Sequence, residues 1–136
     1  MSKLINQLIR DEGCKLKPYH DTVGKLTIGI GRNLDDNGIT QDEANYMLQN
    51  DIAVSVKELS QYGWFKRLDE VRQGALINMH FNLGLPRLLT FRKMIAALEA
   101  QNFKRAANEA LDSRWAAQVG ARADRLARQL VTGDWQ

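Results

Sequence analysis

Five of the ten glycines, Gly13, Gly24, Gly29, Gly31 and Gly38, fall within the first 38 residues of this 136-residue chain. Glycine is favoured where the backbone turns tightly or takes a positive φ. The opening segment is therefore predicted to be compact and sharply turning, and the glycine-poor remainder is free to run as helices. Leu4, Ile5, Leu8 and Ile9 recur at helical spacing and predict a short helix over 3–10 that ends near Glu12-Gly13. From Lys15 to Ile30 the period changes to alternation, punctuated by Pro18 and Val23-Gly24. The β-branched character of Leu26-Thr-Ile-Gly-Ile30 then predicts a hairpin or small sheet with Leu16, Leu26 and Ile28 as its core.

Thr40-Gln-Asp-Glu43 has the spacing of a capping box. It opens an amphipathic run through Ala44, Met47, Leu48, Ile52 and Val56 to about Leu59, long enough to link two lobes. Tyr62-Gly-Trp-Phe65 breaks that pattern. Leu68, Val71, Ala75, Leu76 and Met79 then predict a buried central helix that Gly84 and Pro86 terminate. Three shorter helices are expected around Phe91–Ala100, Phe103–Leu111 and Arg122–Leu130, with Thr90 and Asn102 capping the first two. The expected fold is α+β and mostly α: a small N-terminal lobe with a β-hairpin, a long linking helix and a helical C-terminal lobe. These form a single domain over 1–136, with 1–60 and 61–136 as its parts and a ligand cleft between the lobes.

A hydrophobic share of 44% and a charged share of 26% fit one globular domain and exclude disordered and fibrous classes. No apolar stretch approaches the roughly 20 residues of a membrane helix, so no stable membrane insertion is expected. The N-terminus is interrupted by Asn6 and Gln7 and offers no signal peptide. Cys14 is the only cysteine, which excludes an internal disulfide. Residues 85–136 carry nine Lys/Arg against five Asp/Glu, so the basic excess is C-terminal. That bias suits attraction to a polyanion, but a solvated helical face is the reading it favours.

Glu12, at a helix end, is followed nine positions later by Asp21 and six further on by Thr27, the pattern E-x8-D-x5-T. A helix end and a hairpin folding back on one another bring such side chains to one opening. Two carboxyls in different surroundings suit glycoside hydrolysis, one donating a proton to the leaving oxygen while the other activates water or attacks. Spacing alone does not separate such a pair from ordinary surface charges. His20, His80 and Cys14 have no metal-ligand spacing, and Asp35-Asp-Asn-Gly38 lacks the bidentate glutamate of a calcium loop and reads as a turn. Gly29-Ile-Gly31 lacks the later residues of a phosphate cradle. No metal and no cofactor are expected.

Glu12-Gly13, Tyr19-His-Asp-Thr22 and Leu26-Thr-Ile-Gly-Ile-Gly31 closely resemble the catalytic segment of the phage-type lysozymes, or endolysins, typified by the T-even phage enzyme. Ala75-Leu-Ile-Asn-Met79, Phe81-Asn-Leu-Gly84, Ser113-Arg-Trp115, Arg122-Ala-Asp-Arg125 and Thr132-Gly-Asp-Trp135 continue the resemblance in order. It implies a lysozyme-like two-lobe fold and a muramidase cutting the β-1,4 bond between N-acetylmuramic acid and N-acetylglucosamine in peptidoglycan. Carried over, it makes Glu12 the general acid and Asp21 the general base holding the attacking water, with Thr27 assisting and the anomeric centre inverted. A carboxyl gap of roughly 6.5–9.5 Å would fit inversion, against about 5–5.5 Å for a covalent route. Phe81 and Asn82 are then substrate-binding residues, with core packing the alternative for Phe81, and Arg122 supports the glutamate or is an ordinary helix charge. Trp64, Trp115 and Trp135 read as core or interface anchors.

The resemblance also implies a monomer held in the host cytoplasm, released by a separate holin-like protein and acting on the wall as a lytic, antibacterial enzyme. The chain departs from the family's best-known member after Gly31, where Arg32 replaces histidine. About twenty residues of the N-terminal lobe are missing by that comparison, which puts a third β-strand and a histidine-linked ion pair in doubt. Three other readings compete. A lytic transglycosylase would cut the same bond without a water-holding aspartate, and a wall-binding phage protein would keep the fold without activity. A DNA-binding protein would read Ile39-Thr-Gln-Asp-Glu-Ala-Asn as a helix-turn-helix opening, but Asp51 and Glu58 on the continuing run would repel phosphate, so no nucleic-acid partner is expected.

Overall fold

The computed structural model describes residues 1–136. In order they form α1 (Ser2–Glu12), β1 (Lys15–His20), β2 (Leu26–Gly29), β3 (Arg32–Asn33), α2 (Leu34–Asn37), α3 (Gln41–Leu59), α4 (Gly63–Lys66), α5 (Glu70–Leu83), α6 (Leu85–Leu88), α7 (Arg92–Glu99), α8 (Phe103–Leu111), α9 (Arg114–Val119) and α10 (Ala121–Thr132). The fold is mostly α with one small antiparallel sheet, an α+β arrangement as the sequence predicts. The chain divides into two compact units, Met1–Met47 and Leu48–Gln136, and the division falls inside α3.

In the first unit, three strands pair antiparallel in the order β1-β2-β3. A third strand is thus present, although only two residues long. Lys15 pairs with Gly29 but Tyr19 with Thr27, so β1 uses four residues where β2 uses two, and the chain bulges through Leu16–Pro18. A bulge accommodates Pro18, which has no N–H to give a ladder. It also displaces Leu16, which is 85% exposed and not part of a lobe core. Thr27 on β2 is the one buried residue of this unit. Asp35-Asp-Asn-Gly38 closes one helical turn, α2, capped by the Asn33 side chain and tied back to the hairpin through Lys25–Asp36 at 3.0 Å. The Thr40–Glu43 capping box forms as its spacing predicts.

The second unit holds the hydrophobic core. Ala75, Leu76, Met79 and Leu83 of α5 are buried against Leu59, Phe65, Leu88, Met94, Leu98 and Leu130. α8 and α10 pack against one another, and their buried side chains include Ala106, Ala107, Ala110, Ala123 and Ala127, whose small volume permits a close approach. Arg72 fastens the end of α10, donating through Nε to Leu130 O at 2.7 Å and through Nη2 to Val131 O at 3.1 Å while lying over the Phe103 ring. Such a cation meets the unpaired carbonyls of a helix C-terminus. Thr90 does not cap α7; its hydroxyl donates to Arg87 O at 2.6 Å, whereas Asn102 caps α8 as its position predicts. The Ser113 hydroxyl caps α9, a helix that the apolar periodicity does not announce.

One chain of polar groups reaches from the surface into this core. His80 on α5 meets Glu58 Oε2 through Nε2 at 2.6 Å and Ser55 Oγ through Nδ1 at 2.8 Å, joining α5 to the C-terminal half of α3. With Nε2–H donated to the carboxylate, Nδ1 of a neutral ring accepts from the hydroxyl. His80→Leu would leave the buried Ser55 hydroxyl without its partner, while the half-exposed Glu58 carboxylate turns to water; the change is expected to cost about 1–3 kcal/mol, read as a lower urea midpoint with an unchanged m-value. An unchanged midpoint would show that the chain of polar groups contributes nothing.

Candidate active site

Glu12 is the last residue of α1. Gly13 ends the helix with φ 76° and its N–H on Ile9 O at 2.8 Å, and the chain then turns into β1. Because Lys15 pairs with Gly29, the residues before Lys15 lie against those after Gly29, and Glu12 reaches Gly31. The approach is close: a Cβ on Gly31 would stand 2.8 Å from Glu12 Oε2 and 3.0 Å from its Cδ. Gly31 also has φ 69°, so a side chain there would be strained by the backbone as well as by the carboxyl.

Asp21 lies at the opposite end of the hairpin, directly after β1. Its N–H donates to Lys25 O at 2.9 Å and its carbonyl accepts from Gly24 N–H at 3.0 Å. Its side-chain Oδ1 accepts from the N–H groups of Val23 at 3.0 Å and Lys25 at 2.8 Å. Aspartate commonly closes a turn onto its own backbone in this way. Here it fixes the carboxylate and leaves Oδ2 outside the turn. Thr27 occupies the central strand opposite Tyr19 and Asn33, with its hydroxyl donating to Lys25 O at 2.9 Å. The bulge in β1 therefore shapes the site: residues nine apart in sequence end up bracketing only the stretch Leu26–Gly31 of the neighbouring chain, with Thr27 between them.

The second unit carries the other candidates. Phe81 is 45% exposed, so the core-packing alternative for it fails. Asn82 Oδ1 accepts from the buried Trp115 Nε1 at 2.8 Å, which orients the amide and leaves its NH2 available. Arg122 on α10 donates through Nε to Asn78 Oδ1 at 2.9 Å and through Nη2 to Asn78 O at 3.2 Å. Sequence reasoning misses Asn78, yet it sits one turn before Asn82 on the same helix face, and that i,i+4 asparagine pair is the available signal. Trp64 and Trp115 are buried anchors, whereas Trp135 is 62% exposed and lays its ring over Gly74. A cavity of about 620 Å³ lies beside Trp115, edged by Arg92, Lys93 and Arg114 and by Glu109 and Asp112.

Two carboxyls at opposite ends of a small hairpin are compatible with glycoside hydrolysis, which uses a pair of acidic residues. The phage lysozyme family profile matches residues 10–130. Over 163 aligned positions the chain is 30% identical to probable T4-type lysozyme 1 of Dictyostelium discoideum, covering 98% of this chain and 96% of that protein. A second lysozyme of that organism, probable T4-type lysozyme 2, is 28% identical with the same coverage. The pre-baseplate central spike protein Gp5 of Enterobacteria phage T4 is 29% identical over 96% of this chain, which spans 28% of that protein. The chain belongs to the phage lysozyme family: it is a glycoside hydrolase of lysozyme type, a muramidase whose substrate is peptidoglycan. The alignments are longer than the chain, so these relatives carry residues that it lacks.

Gly31→Ala is expected to lower the rate of peptidoglycan clearing roughly 10²-fold by displacing the Glu12 carboxyl, while far-UV circular dichroism stays unchanged. Full activity in the folded variant would show that the close approach is not needed.

Proposed function

We propose that the chain hydrolyses the β-1,4 bond between N-acetylmuramic acid and N-acetylglucosamine with inversion, in the service of host-cell lysis. Glu12, protonated, gives its proton to the leaving glycosidic oxygen. Asp21, ionised, takes a proton from a water that attacks the anomeric carbon from the opposite face, and the Thr27 hydroxyl helps to hold that water. What supports this reading is that Glu12, ending α1, reaches Gly31 at one end of the hairpin that carries Thr27, while at the other end the Asp21 carboxylate is held by the N–H groups of Val23 and Lys25. Phe81 and Asn82 are assigned to the sugar, one by ring stacking and the other by its free amide N–H, and Arg122 supports the acid. The mixed charge around the cavity beside Trp115 suits the carboxylates and amines of a peptidoglycan stem peptide. No helix is long and apolar enough to cross a membrane, and delivery to the wall is assigned to a separate holin-like protein.

Digestion of purified, lipid-free peptidoglycan tests the roles. Glu12→Gln and Asp21→Asn are each expected to reduce the formation of reducing ends by roughly 10²–10⁴-fold while remaining folded. Mass spectrometry of the products decides the reaction: hydrated muropeptides support hydrolysis, and anhydro products, lighter by one water, would mean a transglycosylase. NMR of the first-formed anomer decides inversion. A folded wild-type protein that binds wall and cuts nothing would leave only the silent wall-binding reading.

A further inference from the structure

Gly31 is the floor beneath the Glu12 carboxyl, and the position of that floor depends on the residue that follows it. Arg32 opens β3 opposite Ile28, and only two residues of this strand join the ladder. So short a strand holds its own place weakly. The Arg32 guanidinium supplies a second anchor: Nη1 donates to Glu43 Oε2 at 2.9 Å, to Glu43 Oε1 at 3.1 Å and to Gly38 O at 3.2 Å. Glu43 is itself immobilised. Its Oε1 accepts from the Thr40 hydroxyl at 3.0 Å, and its N–H donates to Thr40 Oγ1 at 3.1 Å, closing the cap of α3.

The hydrogen bond from Arg32, seconded by that from Thr40, holds the Glu43 carboxyl below the usual carboxylate range, so the pair stays charged into acid solution. Both side chains are 40% exposed, and ion pairs so open to water contribute little to global stability. The Gly31 turn is nevertheless clamped on both sides, by the β2 ladder before it and by the first turn of α3 after it.

We propose that Arg32 is a positioning residue for the hydrolysis: through Glu43 and Gly38 it fixes the Gly31 turn, and Gly31 in turn sets where the Glu12 carboxyl stands. This rests on Glu12 being the acid. Arg32 touches neither substrate nor reacting atoms, and its effect passes through one backbone position.

The test measures kcat and KM on solubilised peptidoglycan, together with thermal midpoints, for wild type, Arg32→Ala, Arg32→Lys, Glu43→Gln, the Arg32→Ala/Glu43→Gln double variant and Glu12→Gln. Arg32→Ala is expected to lower kcat roughly ten- to hundredfold with KM within about twofold. Arg32→Lys should restore a substantial part of that loss. Glu43→Gln should reproduce it, and the double variant should be no worse than either single one, since both break the same link. The Glu12 side-chain carboxyl resonance in a ¹³C-labelled protein gives a readout free of activity, and it should move in Arg32→Ala. Unchanged kcat and an unmoved resonance in folded Arg32→Ala overturn the proposal, as does a loss confined to KM or additive losses in the double variant. If Arg32→Ala fails to fold, Glu43→Gln and Arg32→Lys decide by the same criteria. Full activity in Glu12→Gln would instead remove the acid assignment, and an inactive Glu12→Gln beside a fully active Arg32→Ala removes the positioning role alone.

Discussion

The register between β1 and β2 is the constraint on which the candidate site around Glu12, Asp21 and Thr27 depends. One strand advances four residues while its partner advances two, and that mismatch determines which residues meet at either end of the hairpin. At one end it delivers Glu12 onto Gly31; at the other it leaves Asp21 to close a turn on its own side chain. A slip by one residue would turn Thr27 to the opposite face and separate the three groups. The arrangement is held with little hydrophobic burial, since Thr27 alone is buried in this unit, so backbone ladders, turn bonds and the Lys25–Asp36 and Arg32–Glu43 pairs carry the local order.

The helical unit is built on the opposite principle. Its shape follows from volume: leucines and a methionine of α5 fill the centre, and alanines allow α8 and α10 to approach. Buried polar side chains enter it with partners, as Ser55 and His80 do with one another and with the half-buried Glu58. A rigid core of this kind presents Asn78, Phe81 and Asn82 along one helix face without needing a flexible loop.

Much of this is legible in the sequence, and the parts that are not share a cause. Elements with a long apolar period or a capping signature, such as α3 with Thr40–Glu43 and α8 with Asn102, are predictable because the information is local. The same holds for the ends of the hairpin, where glycines and Asp21 sit at turn positions. The bulge is not legible, because it is a relation between two strands, and so simple alternation assigns Leu16 to a core that it does not join. Thr90 misleads for a similar reason: a hydroxyl near a helix start can turn to an amide or to a carbonyl, and the turn through α6 offers it Arg87 O. The E-x8-D-x5-T spacing is visible, but the approach of Glu12 to Gly31 in the first unit and the bond from Trp115 to Asn82 in the second join residues 19 and 33 positions apart and leave no local signal.

The alanine seam between α8 and α10 has an evolutionary consequence. Residues facing inward there have almost no freedom to enlarge, because any added methylene must push two helices apart. The outward positions of the same helix, Arg125 and Arg128, meet solvent and no such restriction. Selection can therefore adjust the electrical character of this unit almost independently of its architecture. Lineages meeting envelopes of different charge could retune the surface in a few substitutions while inheriting the same interior.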